Sequence, residues 1–490
     1  MSVTAIPPSG TLPLADVPPL PVDRFRRVVL DAVGSGQRIL SLPGFPDGDG
    51  TGLLAILGSD RDHRLSAARS EPIRGGYRAL TPECPQAHLF EREIAERFAV
   101  VPEGHPWLKP VRFLGAGAAP GTPDFFRVDG DEVHEVAVGP VHAGIIEPGH
   151  FRFQCHGERV LFLEIALGYQ HRGVERALAG GPDARTIHLI ETLAGDTSIG
   201  HAWAYSLVVE ALSGSSPPPR AEALRGVALE LERATNHVGD LGALAGDVGY
   251  LPAAAFCGRL RGDFLNLTAE LCGSRLGRGL VRPGGVAFDL GAEQAAALIP
   301  LALTALDEAA DATSLLWGTA TVRARFEETG AVGPGTCEAL GLVGPAARAC
   351  GIGRDARTSF PSGIWREHPI EIAAAASGDV RARAWVRWLE VQRSIAWLCA
   401  RLAALPPGPI RTAAAGLAPG SLAVSLVEGW RGEICHTALT DDTGRFRLYK
   451  VVDPSFHNWS GLAAAMRDQP ISDFPLCNKS FNLSCCGHDL

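Results

Sequence analysis

Two long segments, in which apolar residues recur every three or four positions, constrain the fold of this chain most. The first is AEALRGVALELERATNHVGDLGALAGDVGY (221–250), and the second is ARAWVRWLEVQRSIAWLCARLAAL (382–405). A period near 3.6 residues places the apolar side chains on one face of an α-helix. Segments of this length predict long helices that pack side by side as the core of a bundle.

Two other segments predict β-hairpins. HFRFQCHGERVLFLEI (150–165) alternates apolar and polar residues on both sides of a His-Gly-Glu turn. GEICHTALTDDTGRFRLYKVVDPS (432–455) has the same character and turns at Asp-Asp-Thr-Gly, residues 441–444. The tail DFPLCNKSFNLSCCGHDL (473–490) reads as irregular, but it lacks a solubilising run of charges and is expected to be packed.

The 490 residues exceed the length of one ordinary domain. Residues 1–22 are rich in proline and are predicted to be irregular, and residues 23–113 mix short strands and helices. LGAGAAPGTPD (114–124) reads as a linker, and residues 125–490 form the larger domain. The predicted fold class is α+β: a small N-terminal α/β domain is followed by a mainly helical domain, a helix bundle with peripheral β-hairpins.

Charge and hydropathy exclude several classes of protein. A net charge of −9 gives no electrostatic basis for binding nucleic acid. No segment reaches the ~18–20 apolar residues of a membrane span, and the opening residues lack the pattern of a secretory leader. We therefore expect a cytoplasmic chain that is soluble or is held at a membrane by partners. The 11 cysteines include no C-x-x-C pair, so they read as reduced thiols without a metal cluster.

Several stretches carry a family resemblance. EIALGYQHRGVERAL (164–178), ELERATNHVGDLGALAGDVGY (230–250) and EGWRGEICH…VVDPSFHNW (428–459) resemble the large subunit of membrane-bound [NiFe]-hydrogenases and its relative, the 49-kDa subunit of respiratory complex I. EREIAERFAVVPEGHPWLKPVRF (91–113) resembles the end of the complex I 30-kDa subunit. The order of the two parts is similar to that of the formate hydrogenlyase large subunit.

The resemblance implies a metal site that this chain has lost. In the active hydrogenases, two C-x-x-C pairs supply four thiolates to nickel and iron, which soft sulfur ligands suit. The early pair falls on Ala194 and Thr197, and the late pair falls on Ser455 and Asn458. A methyl group, two hydroxyls and an amide do not replace four thiolates. We therefore expect no NiFe centre and no cofactor bound by this chain itself.

The resemblance also implies a quinone site of the complex I kind, but its two ligands are not reproduced. The position of the quinone-binding Tyr falls on Gly195, and that of the His falls on Pro148. His142 and His150 are the nearby histidines that can stand in for the second ligand. Quinone thus stays open as a ligand.

What the resemblance retains is the apparatus that handles protons. Glu175 matches the Glu that relays protons away from the nickel, Asp247 matches a complex I Asp between cavity and membrane arm, and Arg431 matches the Arg above the metals. His171 and Arg172 are candidate partners of these groups. A carboxyl group buried near a cavity can exchange protons near neutral pH. The competing interpretation is a static ion network that only holds two helices together.

The leading hypothesis is a subunit of a membrane-associated, hydrogenase-related oxidoreductase that couples electron transfer to proton or ion translocation. Its expected partners are a small subunit that carries a [4Fe-4S] cluster and antiporter-like subunits of the membrane arm, on the cytoplasmic face. The alternative is a redox catalyst that uses a quinone or an unusual metal at the remodelled site. A third class is an interaction module without chemistry.

Overall fold

The computed structural model describes residues 3–8, 10–115, 119–142 and 146–490. Its N-terminal part contains β1 (Thr4–Ile6), β2 (Thr11–Pro13), β3 (Pro19–Leu20), α1 (Val22–Gly34), β4 (Arg38–Ser41), β5 (Gly44–Asp47), β6 (Gly50–Ser59), β7 (Arg64–Ser70), β8 (Gly76–Arg78), α2 (His88–Phe98) and β9 (Val101–Glu103). Strands β1, β7, β6 and β4 form a sheet in that order, with β3 beside β7 and β5 beside β6. Helix α1 packs against this sheet.

The larger part begins with a three-stranded antiparallel sheet and continues into helices. Its elements are β10 (Val133–Val138), β11 (His150–His156), β12 (Arg159–Ala166), α3 (Val174–Leu178), α4 (Thr186–Ile190), α5 (Ser198–Ser213), α6 (Pro219–Asp247), α7 (Leu251–Cys272), β13 (Val281–Arg282), β14 (Gly285–Val286), α8 (Ala292–Gly318), α9 (Ala320–Phe326), α10 (Pro334–Leu340), α11 (Gly344–Arg348), α12 (Ala356–Ser359), α13 (Val380–Ala403), β15 (Ser421–Gly429), β16 (Gly432–Thr440), β17 (Phe446–Val452), α14 (Pro454–Ala465), α15 (Phe474–Phe481) and α16 (Cys485–His488). The predicted α+β class is confirmed.

The two long helices predicted from periodicity are α6 and α13. Helix α6 begins at Pro219. A proline fits at this position because a backbone N–H in the first turn, which proline lacks, would have no hydrogen-bond acceptor within the helix. Helix α13 is capped by Asp379, whose carboxylate accepts a hydrogen bond from the Ala382 N–H at 2.8 Å. Helix α6 packs on α7 and α13, and α8 packs on both of these, so the four close a bundle. Leu231 and Ile395 lie in its buried core.

A four-stranded sheet, ordered β17-β16-β15-β2, connects the two parts of the chain. One face of it places Leu426, Leu439 and Leu448 in the core of the N-terminal part. The other face places Ala423 and Ile434 in the core of the helical part. Because both faces of this sheet are covered by other parts of the protein, neither face is exposed to solvent. The side chains of its strands are therefore largely buried.

Two regions predicted to be irregular are ordered instead. Within residues 1–22, β1 pairs with β7, β2 pairs with β15 and β3 pairs with β7, so the segment belongs to two sheets. Proline at strand edges is compatible with this pairing, and it masked the strands in the sequence. The tail forms α15 and α16, and its expected packing is confirmed because Phe474, Cys477 and Leu490 are buried.

Both predicted hairpins are confirmed. Strand β11 pairs with β12, and β16 pairs with β17 around the turn at residues 441–444. The predicted linker, 114–124, contains three residues outside the described ranges, and the domain boundaries stay a prediction. None of the helices in the described part of the chain combines the length and apolar character of a membrane span.

Candidate functional site

The four positions where the resemblance places metal ligands are all buried. Ala194 and Thr197 lie in the loop that leads into α5, and Ser455 and Asn458 lie in the first turn and a half of α14. We call these four residues the vestigial pocket. Their exposed fractions are at most 1 %, so the polar groups among them require partners within the protein.

The polar groups of the vestigial pocket do have partners within the protein. Asn458 accepts a hydrogen bond from the Val343 N–H and donates one to the Val343 carbonyl, both at 3.0 Å. Ser455 Oγ accepts from the Ser484 N–H at 2.9 Å. Thr197 Oγ1 accepts from Trp430 Nε1 at 3.2 Å. A methyl group, two engaged hydroxyls and an engaged amide do not fit a nickel–iron centre.

Arg431 closes one side of the vestigial pocket. Its guanidinium donates to both oxygens of Asp196, at 2.5 and 2.8 Å, and its Nε donates to the Asn482 carbonyl at 2.5 Å. The guanidinium also lies 3.9 Å from the centre of the Trp430 ring. Burial opposes the charge, but Asp196 outweighs it and raises the pKa of Arg431. A fixed cation therefore lies beside the positions where the resemblance places metal ligands.

A chain of buried hydrogen bonds leads from the vestigial pocket into the sheet. Asp453 caps α14 by accepting from the Ser455 N–H at 2.8 Å. Its other oxygen lies 3.1 Å from His201 Nε2, His201 Nδ1 lies 3.1 Å from His436 Nε2, and His436 Nδ1 lies 2.8 Å from the Tyr449 hydroxyl. All four members of the chain are at most 1 % exposed. We call these four residues the histidine chain.

One arrangement of protons satisfies the whole histidine chain. An ionised Asp453 only accepts, so His201 donates from Nε2, His436 donates from Nε2 to His201, and Tyr449 donates to His436. Burial, helped by His201, lowers the pKa of His436 well below its ordinary value and keeps that ring neutral. Burial raises the pKa of Tyr449, which keeps its proton. Every donor therefore points towards Asp453, which is the geometry that proton transfer along a chain requires.

Glu175 lies on α3 in a buried ion network between the two parts of the chain. Its carboxylate lies 2.9 Å from Lys450 Nζ and 3.2 Å from Arg97 Nη1, and it accepts from the Val451 N–H at 3.2 Å. Lys450 also donates to both oxygens of Glu93 at 2.7 Å. Burial opposes the charge of Glu93, but Arg112 and Lys450 lower its pKa to about 2.

The partners expected for Glu175 are wrong. His171 Nδ1 lies 3.0 Å from the Asp489 carbonyl, and the exposed Arg172 donates to the carbonyls of Thr192 and Leu193. Both side chains are directed at backbone carbonyls of neighbouring segments, so neither pairs with the carboxylate. His171 does line a cavity of about 250 Å³ together with Glu175.

Asp247 is not brought together with the other candidates. It is the last residue of α6 and is exposed, and among the described residues it makes no ion pair with Glu175 or Arg431. Asn236, which lies about three turns before Asp247 in α6, donates to the Asp196 carbonyl at 3.0 Å, so the helix separates Asp247 from the segment that leads to α5.

The two histidines considered for quinone lie beside the three-stranded sheet. His142 packs edge-on against Phe151 at 5.6 Å, and His150 begins β11 with its ring 5.2 Å from Phe125. Burial lowers the pKa of both rings. Within the described ranges, His150 Nε2 is buried without a hydrogen-bond partner. Neither ring hydrogen-bonds to a residue of the vestigial pocket, Gly195 is exposed, and Pro148 is partly buried.

Two cysteines of the tail lie next to the vestigial pocket. Glu147 accepts from the Cys486 N–H at 2.9 Å and from Ser484 Oγ at 3.2 Å, and the Cys485 thiol lies 3.8 Å from the Glu147 carbonyl. Burial and Glu147 raise the pKa of Cys486 to about 12, and burial raises that of Cys485 as well. Burial thus favours the neutral thiol at both positions. The described residues contain no group of three His, Cys, Asp or Glu side chains suited to a metal ion.

Sequence reasoning missed Asp453, His436 and Lys450. A signal existed for each, because Asp453 precedes the proline before the late ligand pair and His436 ends the segment RGEICH. Lys450 is one of only three lysines in an arginine-rich chain. These signals gave no spatial partner, since the contacts join segments that are far apart in sequence.

Comparisons with known proteins place this chain in a family. The family described as respiratory-chain NADH dehydrogenase, 49 Kd subunit, matches residues 247–421. The carbon monoxide-induced hydrogenase of Rhodospirillum rubrum is 30% identical over 358 residues, which cover 72% of this chain and 98% of that protein. The chain belongs to the family of hydrogenase and complex I large subunits.

Two further proteins are similar to this chain. Formate hydrogenlyase subunit 5 of Escherichia coli (strain K12) is 28% identical over 423 residues, covering 82% of this chain and 74% of that protein. The structure of the membrane-bound sulfane sulfur reductase, an archaeal respiratory membrane complex, contains a chain with a TM-score of 0.69. At 24% identity, with 74% of this chain and all of that chain covered, this match shows the shared fold.

Proposed function

We propose that this large subunit belongs to a membrane-associated, hydrogenase-related complex and couples electron transfer in an iron–sulfur partner to proton or ion translocation. The observation that carries the proposal is the histidine chain, which ends beside a pocket without thiolates. A subunit that has lost its metal ligands but keeps an oriented proton path suits coupling better than hydrogen chemistry. Its domains would be residues 23–113 and 125–490, joined by 114–124.

The proposed proton path uses only groups of this chain. When a proton arrives at the Tyr449 hydroxyl, the proton already there passes to His436 Nδ1, the His436 Nε2 proton passes to His201 Nδ1, and the His201 Nε2 proton passes to Asp453, so that Tyr449 and both rings stay neutral and Asp453 becomes protonated. Burial raises the pKa of Asp453, but His201 and Arg431 outweigh this and lower it, so a proton that reaches Asp453 is readily passed on to the vestigial pocket. Glu175, in its ion pair with Lys450, is a second candidate site on the proton path, and Asp247 and His171 are outlying candidates.

The expected partners follow from the same proposal. The likeness to hydrogenases and to the family of the NADH dehydrogenase 49 Kd subunit supports partners in a membrane complex, and we propose a small [4Fe-4S] subunit and antiporter-like membrane subunits. We propose that the chain sits with them on the cytoplasmic face of the membrane. Electrons would pass through the iron–sulfur partner, since the vestigial pocket offers no ligand set for a redox metal.

The test uses the assembled complex in membrane vesicles. Tyr449→Phe keeps the ring and removes the donor, and Glu175→Gln keeps the shape and removes the charge. We expect both variants to assemble and transfer electrons while proton uptake falls by at least 10-fold. Tyr77→Phe is the matched control, because Tyr77 is buried and its hydroxyl has no described hydrogen-bond partner. Full proton uptake in both test variants would refute the coupling role.

Separate experiments test the catalytic alternative that was predicted from the sequence. Elemental analysis of the purified chain for nickel and iron, with a hydrogen-uptake assay, tests a metal centre directly. One specific observation favours a quinone version, namely the buried and unpartnered Nε2 of His150. Quinone reduction that survives Tyr449→Phe and is lost in His150→Ala would favour that alternative over coupling.

A further inference from the structure

A cavity of about 420 Å³ lies between the N-terminal part and the helical part of the chain, apart from the vestigial pocket. We call it the junction cavity. It is enclosed by α2, by residues 105–113 and by β12, α10 and α14. Its apolar wall consists of Trp107, Phe113, Phe125, Phe162, Leu340 and Trp459. The volume lies at the lower end of the range of pockets that hold small molecules, ~300–1,000 Å³.

Arg92 of α2 lines the junction cavity as a cation without a carboxylate partner. Its Nε and Nη2 donate to the carbonyls of Lys109 and Pro110 at 2.8 and 3.0 Å, and its guanidinium lies 5.3 Å from the centre of the Trp107 ring. Among the described residues, Arg92 forms no ion pair, and Nη1 makes no hydrogen bond. Burial lowers its pKa to about 10, an effect that Glu164 and Glu96 offset only in part.

The acidic groups near Arg92 are already engaged. Glu164 accepts from Lys109 Nζ at 2.6 Å and from the Phe126 N–H at 2.7 Å. Glu96 accepts from the backbone N–H groups of residues 111, 112 and 114. Arg92 is half-buried, and an anion beside its guanidinium would offset the free-energy cost of that partial burial. The space into which such an anion fits is the junction cavity.

The two charged side chains of the lining that have no ion-pair partner among the described residues are both positive. Lys109 and Glu164 neutralise one another. Burial lowers the pKa of His88 to about 3, so this ring carries no charge at neutral pH and binds Ser460 Oγ at 3.0 Å. Arg467, exposed at the rim, has no ion pair among the described residues. The lining thus combines an apolar body with two unpaired guanidinium groups.

We propose that the junction cavity binds a single-chain amphiphile with one acidic headgroup. The apolar chain lies against the aromatic wall, and the carboxylate or phosphate lies on Arg92, with Arg467 at the entrance. The chemistry is that of a fatty acid or a lysophosphatidate, and a cavity of this size favours one chain over two. The proposal is independent of the coupling function, because it uses no residue of the histidine chain or of the Glu175 network.

The test measures ligand affinity on the purified full chain. Oleate and oleoyl lysophosphatidate, titrated by displacement of cis-parinaric acid fluorescence, are expected to bind at one site per chain. Arg92→Gln is expected to weaken both by at least 10-fold and to leave binding of the neutral oleyl alcohol within 2-fold. Arg27→Gln, an exposed arginine on α1 outside the cavity, is the matched control. A preference for one probe identifies the headgroup as carboxylate or phosphate.

A second variant fills the space instead of removing the charge. Ala464→Trp, on the α14 wall, is expected to abolish binding of all three amphiphiles while the circular dichroism spectrum is unchanged. Absence of saturable binding of both acids to the wild-type chain overturns the proposal. Equal affinity of Arg92→Gln and wild type for both acids also overturns it, whether or not Ala464→Trp folds.

Discussion

His201 Nε2 lies 3.1 Å from Asp453 Oδ2 in the interior of the protein. This hydrogen bond joins the helix that follows Thr197 to the residue that precedes Ser455 by two positions. It therefore joins the two segments that carry the vestigial pocket through a polar contact within the protein.

The first prediction concerns this hydrogen bond. His201→Phe and Asp453→Leu are each expected to destabilise the chain, and a double-mutant cycle is expected to give a coupling free energy of ~1–3 kcal/mol. The reason is that a buried carboxylate loses its partner in the first variant, and a buried ring loses its acceptor in the second. Urea unfolding followed by circular dichroism measures each free energy. Additivity within ~0.5 kcal/mol would show that the contact does not hold the segments together.

A second prediction concerns Asn458, which occupies one ligand position. Asn458→Ala is expected to cost ~2–4 kcal/mol, because it leaves the buried N–H and carbonyl of Val343 without partners. Asn266→Ala is the matched control, since this exposed asparagine on α7 makes no described side-chain hydrogen bond, and its cost is expected within ~0.5 kcal/mol. Urea midpoints of the two variants give the comparison. Equal costs would mean that the amide is not structural.

The same two contacts show what the sequence can and cannot predict. The residue types at the substituted ligand positions can be read directly from the sequence, so the lack of thiols could be predicted from residues 194, 197, 455 and 458. The hydrogen bond from Asn458 to Val343 joins residues 115 positions apart. No periodicity encodes such a partner, because it arises only when α14 packs on the loop before α11.

A local sequence pattern was sufficient to predict the elements whose formation depends mainly on local structure. The helices α6 and α13 and the two hairpins follow from periods of 3.6 and 2, which a sequence displays directly. The same reasoning failed for β2, because a three-residue strand becomes a strand only by pairing with β15, about 400 residues later. It failed for Glu175 too, whose partner Lys450 comes from β17 and not from the adjacent His171 and Arg172.

A third prediction concerns pH. The pKa of Glu93 lies near 2 in the folded chain, below its ordinary 4.5, so its ionised form stabilises the native state above pH ~4.5. That stabilisation, on the order of 1–3 kcal/mol, is expected to be lost as the pH falls from 4.5 towards 2. In the Glu93→Gln variant, the loss of stability that protonation of Glu93 causes in the wild type should be absent. Urea midpoints between pH 6 and pH 3 measure it.

The control for the pH experiment is Glu158→Gln, because Glu158 is exposed in the turn between β11 and β12. Its pH profile is expected to follow the wild type. If Glu93→Gln keeps the full wild-type slope between pH 4.5 and pH 3, the network of Glu93 with Lys450 and Arg112 does not contribute to stability.

The last prediction concerns the tail that covers the vestigial pocket. Arg431 donates to the Asn482 carbonyl at 2.5 Å, so it holds the segment that carries Cys486. Arg431→Lys keeps the charge but loses the two-pronged contact with Asp196 and the bond to Asn482. We expect alkylation of Cys486 by iodoacetamide to be slow in the wild type and at least 10-fold faster in the variant, because a loosened tail exposes the thiol and separates it from Glu147. Cys399, partly exposed on α13, is the internal control, and its rate should change by less than 2-fold. Mass spectrometry of the two peptides over time gives both rates, and equal acceleration of both thiols would point to global unfolding instead of release of the tail.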